Sequence, residues 1–389
     1  MVGIERPGGH GVSRVASVSV TGRIPGREGL WELDLEGDTV RGMECVDPAA
    51  AEPRGRWITP GLFDLQINGI GGINLTERSL TVEQASRADE LVRASGTSRW
   101  CPTVITSSFD TARAALGTLA GAMTAGRMPG AHAIHLEGPW LSDADGPRGI
   151  HRREYVRDPS VEEWDALQQA ALGRIGILTI APERRGAVEV IRRAARAGVV
   201  VSIGHTAATP EAITAAVEAG ARMSTHLFNG CADLQGRHTN VIYSQLAEDR
   251  LYACFIADGH HVPFHALRIG LRTKGPERSI MVSDLAPLSG LPDGEYEMEG
   301  NRVVLKEGGL RVKDSGLLSA AARTLAEDVQ WLSLQPEPGV EQALLMATRN
   351  PAALVGDPSW AELEPGRRGP LAVFSWDGSQ VRLEQRIGF

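Results

Sequence analysis

Residues 199–230 read VVVSIGHTAATPEAITAAVEAGARMSTHLFNG. An apolar run, Val199–Ile203, ends at Gly204-His205. Thr209-Pro210-Glu211 then opens a helical segment, with a hydroxyl cap and proline at the first helical position. A second apolar run, Met223–Leu227, carries His226. Runs that are apolar throughout, rather than alternating, fit strands of a parallel sheet covered on both faces.

The same grammar extends in both directions. Leu62–Ile67, Arg99–Ile105, Ala131–Leu136 and Ile175–Ile180 precede the unit, and Leu251–Ala257 and Ser279–Ser283 follow it. Helical segments lie between. The first opens on Thr81–Gln84 (TVEQ), a capping box, places Val82, Ala85, Ala88 and Val92 on one face, and ends at Gly96. Eight strands alternating with helices imply a closed (β/α)8 barrel.

The flanks differ. Val15–Thr21 and Leu30–Leu35 alternate in polarity between glycines, as antiparallel strands with one wet face do. Leu371–Ser375 and Val381–Glu384 read as strands as well, the Gly-rich stretch 289–313 as a β insertion, and 319–333 and 339–348 as helical. The expected fold is α/β: a (β/α)8 TIM-type barrel over residues 59–348, with a small β-sandwich domain built from residues 1–58 and 349–389.

Charge and composition exclude some functions. A formal net charge of -8 over 389 residues argues against a nucleic-acid binder. No stretch of about 18 apolar residues is present, so no membrane span is expected. Nor does the start, MVGIERPGGHGVSR, read as a signal peptide. Four dispersed cysteines without a CxxC pair fit reduced thiols and a cytoplasmic location.

In such barrels the active site lies at the C-terminal ends of the strands. There this sequence places Gln66 and Asn68, Glu137, His205, His226, and Asp284. Two imidazoles and one carboxylate, with a fourth position left for water, are the ligand set of catalytic rather than structural zinc. Asp284 is then the general base. Each residue alone has a duller reading as a cap or a packed side chain, so the argument rests on the combination.

Several motifs carry a family resemblance: TPGLFDLQINGIGG (59–72), HLEGPWLS (135–142), TIAPE (179–183), SIGHTAAT (202–209), STHLFNG (224–230), ADGHHV (257–262) and VSDLAPLSGLPDG (282–294). In this order they resemble the N-acetylglucosamine-6-phosphate deacetylases of the amidohydrolase superfamily. The resemblance implies Glu137, His205 and His226 as metal ligands, Asp284 as catalytic acid/base, and His151 as the group that orients and polarises the substrate carbonyl. It also implies contacts of Asn229, Gly230, Arg237 and His261 with the sugar phosphate, and a homodimer. Gln66 and Asn68 occupy slots where binuclear relatives carry His-x-His, and no lysine lies on the fourth strand. One divalent metal, zinc, is therefore expected, with Gln66 and Asn68 on the substrate side.

The sequence departs from the family pattern after Arg237 (HTNVIYSQL), in FNGC (228–231) and in SGLLSAAARTL (315–325). The expected activity is hydrolysis of N-acetylglucosamine 6-phosphate to glucosamine 6-phosphate and acetate. Two alternatives remain: another N-acyl amino sugar, the galactosamine epimer or an unphosphorylated one, and a non-catalytic barrel.

Overall fold

The computed structural model describes residues 17–298, 300–314, 316 and 318–389. Val15 and Ala16 of the first expected strand, and Ser315 and Leu317 of the atypical 315–325 segment, lie outside the described residues.

The chain opens with an antiparallel sheet of β1 (Ser17–Gly22), β2 (Leu30–Glu36) and β3 (Thr39–Asp47), then β4 (Gly55–Thr59). The barrel begins at β5 (Leu62–Ile67), followed by a short hairpin of β6 (Gly69–Ile70) and β7 (Ile73–Asn74). It continues as α1 (Val82–Ala94), β8 (Thr97–Ile105), α2 (Phe109–Thr124), β9 (Ile134–Glu137), α3 (Val161–Ala170), β10 (Ile175–Ile180), α4 (Ala187–Arg196) and β11 (Val200–Ile203). Next come α5 (Pro210–Ala219), β12 (Ala221–Ser224), α6 (Val241–Leu246), β13 (Tyr252–Phe255), α7 (Phe264–Lys274) and β14 (Ser279–Met281). Eight strands thus form one parallel sheet in the order β5-β8-β9-β10-β11-β12-β13-β14. A parallel bridge between Ile67 and Leu285, with Asn68 N donating to Leu285 O at 2.8 Å, joins the last strand to the first.

Local chemistry sets the helix starts. Thr81 and Gln84 form the expected capping box on α1. Thr209 caps α5 by accepting from Ala212 N, Pro210 follows, and Gly220 ends the helix at φ +119°, a left-handed conformation that suits glycine.

Between β14 and the eighth helix the chain inserts an antiparallel sheet of β15 (Gly294–Met298), β16 (Asn301–Lys306), β17 (Gly309–Val312) and β18 (Leu318–Ala321). This corrects the helical reading of 319–333: Gly309 and Leu310 pair with Ala321 and Ala320, and the helix α8 (Leu325–Ser333) starts only after the Thr324 cap. Alanine's helix propensity is overridden by the neighbouring strand edge. After α9 (Val340–Met346), α10 (Arg349–Leu354) packs on the barrel although it lies beyond residue 348; Ala352 and Leu354 share a core with Phe63 and Leu65. Finally β19 (Leu371–Trp376) pairs with both β4 and β20 (Val381–Ile387). This terminal sheet and the β1-β2-β3 sheet share one core, including Leu33, Leu35, Ile58, Leu371 and Val373.

The barrel interior is layered. Cys101, Ile177, Val200, Met223, Cys254 and Ile280, from six strands, form a buried apolar floor that Ala352 and Leu354 close from below. Two residues further along, side chains return to the same face. There Thr103, Thr179, Ser202 and Thr225 make a buried hydroxyl layer together with His135. His135 Nε2 is 2.8 Å from Thr179 Oγ1, which is 2.7 Å from Thr225 Oγ1. His135 Nδ1 donates to Leu65 O at 2.9 Å. Two further steps reach Glu137, and the chain just past the other strands carries His205, His226 and Asp284.

Candidate metal and active site

His205, His226 and Asp284 each follow the end of a strand and have φ of +48°, +26° and +51°. Side chains other than glycine rarely adopt this region, so the surrounding structure must hold it in place. The result is convergence. His205 Nε2 and His226 Nε2 lie 3.1 Å apart, at 3.3 and 3.2 Å from Glu137 Oε1. Three ligands with bonds of about 2.0–2.2 Å at tetrahedral angles stand about 3.3 Å from one another. The triangle therefore fits one divalent cation, and this trio is the group among the described residues whose ligand atoms lie close enough together to hold one.

The tautomer fits too. His205 Nδ1 is 2.9 Å from Pro147 O; a carbonyl only accepts, so the ring proton sits on Nδ1 and the Nε2 lone pair is free. Burial by itself would raise the Glu137 carboxyl, but the close approach of the two imidazoles takes it well below the usual range. Burial opposes charge on His226 too, and its contact with Glu137 outweighs that and raises it. Glu137 is thus ionised, as a cation requires, while a cation bound at His226 Nε2 would displace the proton that the carboxylate favours there.

Asp284 is held from the other side. Gln66 Nε2 and Asn68 Nδ2 both donate to its Oδ1 at 2.8 Å, and Gln66 Nε2 also lies 3.1 Å from Glu137 Oε2. Gln66 therefore ties the two carboxylates together. Burial, then the nearby Glu137 charge, raise the Asp284 carboxyl above its ordinary value, towards that of a useful base. His151 sits at the same mouth, its Nε2 3.2 Å from His205 Nε2, and burial lowers it to about 3, so its ring is neutral.

These groups line a cavity of about 190 Å³ with Asn68, Asn229, Gly230 and His261. Gln66 is buried beneath it and does not line it. The inserted sheet supplies one wall through Met298, Leu318, Ser319 and Ala320. Arg237 is not brought in: it is exposed, and no arginine or lysine lines the cavity among the described residues.

No family model matches the chain. It is 32% identical over 313 residues to N-acetylgalactosamine-6-phosphate deacetylase of Shewanella sp. (strain ANA-3), covering 80% of this chain and 77% of that one. It is 30% identical to N-acetylglucosamine-6-phosphate deacetylase of Haemophilus influenzae, covering 83% of each. The chain belongs to the N-acetylglucosamine-6-phosphate deacetylase family. The structure agrees: that of the Mycobacterium smegmatis enzyme in complex with N-acetyl-D-glucosamine-6-phosphate superposes with a TM-score of 0.84 at 28% identity, covering 95% of this chain and 98% of that one.

Two supports of this deacetylase-family site were not apparent in the sequence. Gly230, at φ +56°, lies flat against the His205 ring; a Cβ there would stand 2.8 Å from Nδ1. The second is Asp258, three residues before His261. Its Oδ2 is 2.7 Å from His261 Nδ1, and its Oδ1 accepts the backbone N–H of His260 and His261 at 2.8 Å each. The spacing Asp258-Gly259-His260-His261 is the available signal, since an Asp at the start of a turn commonly accepts from the N–H groups two and three residues on.

Proposed function

We propose that this protein hydrolyses the acetamide of an N-acetylhexosamine 6-phosphate, releasing acetate and the amino-sugar phosphate. The convergence of Glu137, His205 and His226 opposite a tethered Asp284 carries this reading. The three ligands hold one divalent cation, zinc by the chemistry of the donor set. When bound, it supplies Lewis acidity toward the attacking water and the amide carbonyl. Asp284 takes the proton from water and returns it to the leaving nitrogen as the C–N bond breaks. Neutral His151 donates a hydrogen bond to the developing oxyanion. Gln66 and Asn68 keep Asp284 aimed, a role nearer to orientation than to direct substrate contact.

A dianionic phosphate calls for an arginine or lysine, and none lines this cavity among the described residues. Arg237 stands exposed on the same segment as Leu234, itself 93% exposed. A homodimer that places Arg237 at the partner's cavity meets both needs. Four free thiols and the absence of any helix long and apolar enough to cross a membrane, among the described residues, accompany a cytoplasmic location in this reading.

Acetate release from N-acetylglucosamine 6-phosphate by the zinc-loaded protein tests the proposal, with the galactosamine epimer and the unphosphorylated sugar alongside. No release from any of the three would refute it. The galactosamine substrate is the second reading, favoured by the 32% identical relative of that name; faster release from it would establish that reading.

A further inference from the structure

The loop between β9 and α3 carries three pieces of the site. Pro147 O accepts the His205 Nδ1 proton at 2.9 Å, Gly149 lies against the His205 ring, and His151 meets that ring edge-to-face with centroids 4.3 Å apart. The His151 ring has little of its own to hold it. Its Nδ1 is buried without a hydrogen-bond partner among the described residues, and its Nε2 faces His205 Nε2. A cation on His205 Nε2 takes that lone pair, so this contact cannot then serve as a hydrogen bond. The aim of the ring therefore comes from its backbone.

Among the described residues one side chain grips that backbone. Arg148 Nη1 donates to His151 O at 2.7 Å, and Arg148 Nη2 donates to Asp145 Oδ1 at 2.8 Å. Backbone bonds fold the segment inside this clasp, from Arg148 N to Ala144 O and from Gly149 N to Gly146 O, at 3.0 Å each. The planar guanidinium thus spans the turn from end to end, with two donors in a fixed fork. Asp145 is 78% exposed, so its ion pair contributes little. The Arg148 side chain is 20% exposed, and its grip on His151 O is the sheltered end.

We propose that Arg148 is a positioning residue: by clasping residues 145–151 it aims the His151 ring at the reacting carbonyl and keeps Pro147 O on His205 Nδ1. This rests on the cavity being the deacetylase site, with His151 at the oxyanion.

The test is a variant cycle on the full chain, read by zinc competition against a chromogenic chelator and by turnover of N-acetylglucosamine 6-phosphate at saturating zinc. Arg148→Ala should bind zinc about tenfold more weakly, as Pro147 O slackens its hold on His205. Its kcat should fall about 10–100-fold, the worth of one hydrogen bond to a charged group, with KM within about twofold. Added to His151→Ala, Arg148→Ala should lower kcat no further and still weaken zinc, because the two effects run through different residues of the loop. A kcat loss that adds to that of His151→Ala, an effect confined to KM, or unchanged zinc affinity overturns the proposal. Should Arg148→Ala fail to fold, Arg148→Met keeps the stem, removes the donors and is read the same way. Absence of turnover in the unmodified protein would count against the deacetylase reading, and zinc affinity would then decide the role of Arg148.

Discussion

Gly230→Ala probes how tightly the metal ligands are boxed. The new Cβ would stand 2.8 Å from His205 Nδ1 and 3.1 Å from Cγ and Cε1, whereas ordinary contact begins at 3.4 Å. The ring must therefore retreat by about 0.6 Å or the loop must move. Retreat is blocked, because Nδ1 is tied to Pro147 O and Gly149 packs against Cε1. Metal–ligand distances tolerate about 0.2 Å, so the displacement exceeds the tolerance about threefold. Disturbing a ligand's supports by this much should weaken metal affinity about 10–100-fold, roughly 1.4–2.8 kcal/mol. Alanine at φ +56° adds a backbone cost of about 1 kcal/mol, read as a lower Tm. The assay is zinc competition against a chromogenic chelator, with turnover followed at limiting and saturating zinc. Excess zinc should restore much of the rate. A variant that binds zinc as tightly as the parent would refute the argument that Gly230 is glycine for the sake of His205.

Asp284→Asn should retain zinc and substrate binding but lose about 10²–10⁴ in kcat, as expected for removal of a general base; turnover within tenfold of the parent would remove Asp284 from the reaction. Arg237→Ala should raise KM for the phosphorylated sugar and leave the unphosphorylated one unchanged, and equal effects on both would refute the phosphate role. Stability should carry the mark of Asp64, whose burial raises it to about 7 while its oxygens accept from Gln66 N and Ser283 N. A carboxyl raised in the folded state stabilises fully below its unfolded pKa of about 3.9, and that contribution is lost as pH rises through about 7. Urea melts of the parent and Asp64→Asn should therefore diverge between pH 4 and 7, the parent falling by up to about 1.4 kcal/mol per pH unit relative to the variant; parallel curves would refute the shift.

The barrel was legible because its strands are buried on both faces and its helices announce their caps. Leu62–Ile67 and Ile175–Ile180 match to the residue. Strand limits blurred where apolar residues continue past the hydrogen-bonded ladder: Ala131 makes only an isolated bridge to Trp100, and β9 starts at Ile134. The 318–321 strand was missed because Ser-Ala-Ala has no strand signature of its own and pairs only because β17 lies beside it. Site residues on strand ends could be read from spacing, since the topology places all strand ends on one rim. Their supports could not. Pro147 reaches His205 across 58 positions through a carbonyl, which leaves no trace in residue type. Asp258 was in view within the motif, but its role depends on which nitrogen of His261 it meets.

The apolar floor closed by Ala352 and Leu354 has a consequence for the order of events. It makes the barrel a cul-de-sac: whatever enters from the mouth must leave by it. A scissile carbonyl at the ligand triangle puts the acetyl carbon deepest and the sugar nearer the opening. After cleavage the amino sugar stands in the doorway and the acetate behind it, so the larger product departs first and acetate last. In this geometry, added acetate competes with incoming substrate for the bottom of the well.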